Sequence, residues 1–178
     1  MTVKAISATI LLGAIPLDVY QLPDGGYKVD AIGVMSAVDK KGSALSRFLT
    51  GKSPFALPFG GYNFTQAQSI PVEGNAQLIK PIPIALATAY WLHEVGKGNV
   101  KAQALVQASM AESIERRADA AFSIKRTEPE YNLRFGESFE SVMLENRQEI
   151  TGRRLPGDDL YLPDGINWAK VRSLLELG

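Results

Sequence analysis

No cysteine occurs among the 178 residues, which excludes disulfides, thiolate nucleophiles and cysteine-based zinc or iron–sulfur sites. The single histidine, His93, excludes a two-histidine metal site and an HNH-type nuclease centre. A Ser-His-Asp triad would have to use it. No apolar run approaches the ~18 residues of a membrane span. Met1-Thr2-Val3-Lys4 leads into a short apolar run, but Asp18 and Tyr20 follow with no small-residue cleavage site, so no signal peptide is read and the expected location is cytoplasmic. A Gly-rich phosphate loop of the P-loop or dinucleotide type is missing as well.

What remains is an ordinary globular composition, 46% hydrophobic and 21% charged with a net charge of zero. A neutral chain is not built to coat nucleic acid non-specifically. The charge is unevenly placed, however. Residues 1–60 carry six Lys/Arg against four acids, 61–126 seven against five, and 127–178 six against ten.

The richest stretch is 17–53. Leu17-Asp18-Val19-Tyr20-Gln21-Leu22 alternates like a strand, Pro23-Asp24-Gly25-Gly26 is turn chemistry, and Tyr27-Lys28-Val29 begins a return strand. Asp30 is placed to cap a helix over 31–38 and Ser43 to cap another over 44–50. Ahead of this unit, 5–12 reads as a first strand ended by Gly13 and Pro16. Behind it, 51–61 is a Pro/Gly loop, and 62–70 and 77–80 read as strands split by the turn Glu73-Gly74-Asn75. The expected fold of 1–80 is α+β: a small antiparallel sheet with short helices.

Pro81 and Pro83 mark the next boundary, with Pro83 suited to a first helical turn. Ile84, Ala87, Trp91 and Val95 form an amphipathic stripe, Gly96-Lys97-Gly98 stops it, and Asn99 is placed to cap a long helix over 100–122. Val100, Ala104, Ala108, Ala111, Ile114, Ala118 and Ala121 recur along that helix at three- and four-residue intervals. Residues 81–126 therefore read as a helical hairpin, whose small-residue stripe over 83–122 suits self-association as a homodimer. The acidic segment 127–178 is expected to hold a charged helix over 135–150, a turn-rich loop and a short helix over 167–177. Leu-Pro-Asp-Gly occurs at 22–25 and 162–165 as repeated turn chemistry.

Two readings of the basic residues stay open. Lys28, Lys40, Lys41, Arg47 and Lys52, with Ser43, Ser46 and Ser53 interleaved and no acid between Asp39 and Glu73, either contact DNA phosphates or form a solvated charged face. The block Glu112-Ser113-Ile114-Glu115-Arg116-Arg117-Ala118-Asp119 reads as a surface ion-pair lattice rather than an anion clamp. His93 reads as a hydrogen-bonded structural histidine, and Tyr90 and Trp91 as core. A metal-dependent nuclease would need acids beside a lysine, such as Asp24 and Asp30 with Lys28, or Glu73 with Lys80, and both sets lie in turn contexts. Neither a metal nor another cofactor is assigned. A module that binds only protein is the third reading.

The run from Leu17 to Val29 with its two following helices resembles the DNA-binding domains of phage antirepressors, the Bro-N and KilA-N type. The resemblance covers about residues 5–80. Tyr27 stands where that family usually has tryptophan or phenylalanine, and Ala31-Ile32-Gly33 stands in its helix motif. The resemblance implies an α+β domain that binds DNA. The second half, from Ala89-Tyr90-Trp91 through Ala102-Gln103-Ala104-Leu105 to Ala120-Ala121-Phe122, is similar to tails of cyanobacterial and mobile-element proteins, a likeness that implies no activity. Together these give the expectation of a sequence-specific DNA-binding regulator of phage or mobile-element type.

Overall fold

A tight hairpin starts the fold. Strands β1 (Ile6–Leu12) and β2 (Ile15–Gln21) pair antiparallel from Ile6↔Gln21 to Leu12↔Ile15. The two-residue loop puts Gly13 at φ +59° in its first position, where a side chain would be strained. The computed structural model describes residues 4–63, 69–74 and 78–151, and within them the architecture is α+β. The turn at Asp24 leads from β2 into β3 (Tyr27–Asp30), with the Asp24 carboxylate accepting the Gly26 N–H at 2.9 Å. The segment Pro81–Pro83, read from sequence as a boundary, is the fourth strand, β6, beside β3. The sheet order β1-β2-β3-β6 leaves β6 at an edge, the position where prolines are tolerated.

Strand β2 buries Ile15 and Leu17 on one face and Tyr20 on the other. The first face carries the main core. Helices α1 (Ala31–Ser36) and α2 (Ala44–Thr50) supply Val34, Leu45 and Phe48 to it, and α3 (Ile84–Gly96) supplies Leu86 and Tyr90. Each such large side chain contributes roughly 1.5–3 kcal/mol on burial. On the second face Tyr20 packs with Ala5 and Val72 under a two-stranded ribbon, β4 (Ile70–Pro71) and β5 (Leu78–Ile79). Those short strands are what is seen of the strands expected at 62–70 and 77–80; residues 64–68 and 75–77 lie outside the described residues.

Helix starts follow local chemistry. The Asp30 carboxylate accepts the Gly33 N–H at 2.6 Å and the Asn99 side chain accepts the Ala102 N–H at 2.9 Å, so both expected caps form. Ser43 precedes α2, but its side chain makes no capping bond. Helix α3 ends at Gly98, φ +77°, where the Gly98 and Asn99 N–H groups bond back to Val95 and Glu94. Helix α4 (Val100–Ala121) then packs against α3 through Ala104, Leu105 and Ala108.

The small-residue stripe divides in two. Ala104 and Ala108 are buried, whereas Ala111, Ile114, Ala118 and Ala121 are exposed. Beyond Ala108 the partner of α4 is α5 (Glu128–Thr151), which starts seven residues earlier than the helix expected from Phe135. The Glu112–Asp119 block forms an ion-pair lattice, but not on an exposed face as expected: Asp119 is buried, and the pairs form the seam of the α4/α5 hairpin. Arg116 bonds Glu112 at 2.7 Å and grips Glu128 with two bonds of 2.8 Å, holding the Glu128 carboxyl below its ordinary pKa. Its guanidinium lies 3.8 Å from the centre of the Tyr131 ring. Buried Asp119 accepts from Arg126 and from the Tyr131 hydroxyl, each at 2.7 Å. The turn-rich loop at 152–165 and the helix at 167–177 lie outside the described residues.

Candidate functional site

The basic residues are brought together by the ends of α1, α2 and α3. Helix α1 closes with the Asp39 and Lys40 N–H groups bonded to the Ser36 and Met35 carbonyls and Asp39 at φ +56°. This left-handed reversal throws Lys40 toward α3. There the Glu94 carboxylate, its side chain 3% exposed, meets Lys40 at 3.5 Å and Lys97 at 3.1 Å. Arg47 projects from α2, and Lys52 and Ser53 follow it in the loop.

These groups line one concavity of about 480 Å³, together with Ala44, Phe48, Gly51 and His93. Four cationic side chains, Lys40, Arg47, Lys52 and Lys97, face a single carboxylate. Among the described residues no acid pairs with Arg47 or Lys52. Phe48 forms the buried floor, edge-on to Tyr90 at 5.6 Å and tilted 41° to the His93 ring at 5.0 Å. The Ser53 Oγ is buried and has no hydrogen-bond partner among the described residues.

The local field follows from this arrangement. Burial pushes the Tyr90 hydroxyl far above its usual range, reinforced by Glu94 and opposed by Arg47. Burial also lowers the His93 pKa, with Lys97 adding to the effect and Glu94 opposing it. His93 corrects one expectation. It makes no hydrogen bond among the described residues, and its half-buried ring stands at the rim against Phe48.

Of the eight residues singled out from sequence, Lys40, Arg47, Lys52 and Ser53 converge on the concavity. Lys28 lies on β3 opposite Tyr20 and Pro83, and Lys41 is exposed outside the lining. Ser43 precedes α2 outside the lining, and Ser46 is half-buried with its carbonyl accepting the Thr50 hydroxyl at 3.0 Å. Sequence reasoning missed His93, Glu94 and Lys97 as site residues. Their spacing within one turn at the end of α3 was visible, but nothing local says that α2 lies opposite. Of the acids considered for metal, Asp24 and Asp30 have backbone roles, Asp24 in its turn and Asp30 at its cap.

No protein-family model, curated protein or solved structure significantly matches the chain. A dense set of cations with little acidic compensation, partly walled from solvent, attracts an anion. At an effective dielectric of about 20, one unit charge 4 Å from another gains roughly 4 kcal/mol before desolvation is counted.

Proposed function

We propose that this chain is a DNA-binding regulatory protein of phage or mobile-element type that contacts phosphates through the basic unit around α2. The observation that carries this reading is the convergence of Lys40, Arg47, Lys52 and Lys97 in one concavity, with Arg47 and Lys52 unpaired among the described residues. Lys40 and Lys97 share the single carboxylate of Glu94, so the uncompensated charge of the concavity is that of Arg47 and Lys52. The α+β sheet with two short helices supports the antirepressor-like part of the reading.

Fluorescence anisotropy with a labelled duplex bearing 5′-hydroxyl ends tests it. Two phosphates neutralised by Arg47 and Lys52 imply affinity falling roughly tenfold between about 50 and 200 mM salt. A Lys40/Arg47/Lys52/Lys97→Ala variant that stays folded should lose that binding. Absence of duplex affinity at low salt would sink the reading.

Self-association through 83–122 belongs to the same proposal. Met110 and Ile114, one turn apart on α4, are 60% and 61% exposed, which supports a partner on that face. Light scattering of the wild type and of Ile114→Glu tests this, a monomeric wild type being the contrary result.

A further inference from the structure

We infer that the concavity receives a phosphomonoester, the terminal phosphate of a nucleotide that is either free or at the 5′ end of a strand. The inference deepens the DNA-binding reading and rests on it for the choice of nucleotide as the carrier. Shape is the first argument. Arg47 and Lys52 are exposed and open to a duplex phosphate, whereas only a terminal group enters the space of about 480 Å³ that four chain segments line. A hollow of that size suits one small group with its attached sugar.

Charge is the second argument. Glu94 compensates only one of the four cations: Lys97 donates to its Oε1 at 3.1 Å, while Lys40 stands 3.5 Å from Oε2, which accepts no hydrogen bond among the described residues. A bridging phosphodiester brings a single negative charge. A terminal monoester brings about −1.5 to −2 at neutral pH and three oxygens for hydrogen bonds. Arg47 offers a planar fork suited to two of those oxygens, and Lys52 a mobile point charge. His93 stands beside them in the lining.

The test compares one oligonucleotide with a 5′-hydroxyl and with a 5′-phosphate, labelled at the 3′ end, using the full chain. The 5′-phosphate should tighten binding roughly tenfold, about what one added set of charge-assisted hydrogen bonds is worth. Arg47→Ala and Lys52→Ala should each abolish that preference, while Lys41→Ala, outside the hollow, should retain it. Both pocket residues are exposed and lack an acid partner among the described residues, so these variants keep the fold; circular dichroism checks this.

Competition by a deoxynucleoside 5′-monophosphate separates the two sources. Full displacement identifies a free nucleotide, and displacement only by a phosphorylated strand identifies the strand end; both support the inference. Equal affinity for the two ends without displacement by the monophosphate overturns it, while salt-sensitive duplex binding leaves the DNA reading standing. Monophosphate binding without duplex affinity supports the phosphomonoester site and overturns DNA binding. Binding of neither overturns both.

Discussion

The Lys40 ammonium lies 3.5 Å from the Glu94 carboxylate, and Lys97 reaches the same carboxylate at 3.1 Å from the end of α3. One buried acid thus ties the reversal after α1 to the helix that carries His93. The lysine side chains are 39% and 54% exposed, so either contact alone is largely screened and worth at most about 1 kcal/mol. Losing both is different, because the acid is then buried without compensation. Lys40→Ala and Lys97→Ala should each cost less than about 1 kcal/mol, and the pair together about 3 kcal/mol. Adding Glu94→Gln to the double variant should recover most of that loss. A double-mutant cycle in urea measures the coupling, and additive losses would refute it.

Gly13 and Gly98 both hold left-handed backbone, at φ +59° and +77°, but in different surroundings. A Cβ at Gly13 would come 2.9 Å from the Phe139 Cβ, where α5 crosses the first hairpin, whereas one at Gly98 would meet open space. Gly98→Ala should therefore cost only the conformational penalty, about 1 kcal/mol, and Gly13→Ala about 3 kcal/mol with the overpacking added. Thermal unfolding of the two variants gives the comparison. Equal shifts in Tm would mean that α5 yields at Phe139.

The sequence made legible whatever local chemistry decides. Asp30 and Asn99 announce their helices because a cap needs only three following residues, and the Pro23–Gly26 turn needs only its own glycines and Asp24. The start of α5 was legible in principle and overlooked: Thr127 and Glu130 stand at capping-box spacing, and the Glu130 carboxylate accepts from the Thr127 N–H at 2.6 Å and the hydroxyl at 2.8 Å. Strand β6 was hidden, since its prolines argue against a strand until an edge position is known. The site was half legible. Lys40, Arg47 and Lys52 are neighbours in sequence, but Glu94 and Lys97 join them only through packing of α3 on α2, a contact across more than forty residues that no local pattern encodes. The stripe on α4 misled in part, because a helix of 22 residues outruns the core that its periodicity implies.

Asn99 acts at two places at once. Its carbonyl oxygen accepts the Ala102 N–H at 2.9 Å, while its amide donates to the Val38 carbonyl at 2.8 Å. The second bond satisfies a carbonyl beside the reversal that carries Lys40. Asn99→Ala should lose both and cost about 2 kcal/mol; Asn99→Asp keeps the acceptor, loses the donor and should cost about 1 kcal/mol. Chemical denaturation followed by circular dichroism ranks the two. An aspartate variant as damaged as the alanine variant would assign the whole effect to the Val38 bond.

His93 supplies a pH signature without competing signals, since it is the only histidine. Burial and Lys97 lower its pKa in the folded chain, with Glu94 in partial opposition. The unfolded chain therefore takes up a proton first as pH falls below about 6.5, and the native state loses stability through that window until the folded value is passed. Glu128 and Glu130, lowered by Arg116 and by Thr127, titrate further toward acid and leave the window clear. His93→Gln should flatten stability between about pH 6.5 and the folded value, and an unchanged slope would refute the assignment. Nuclear magnetic resonance of the imidazole adds a reading on the site itself. A phosphomonoester seated among Lys40, Arg47, Lys52 and Lys97 brings negative charge to the ring, so a deoxynucleoside monophosphate at saturation should raise the His93 pKa. A value that stays fixed while the monophosphate binds would mean that the anion sits away from the concavity.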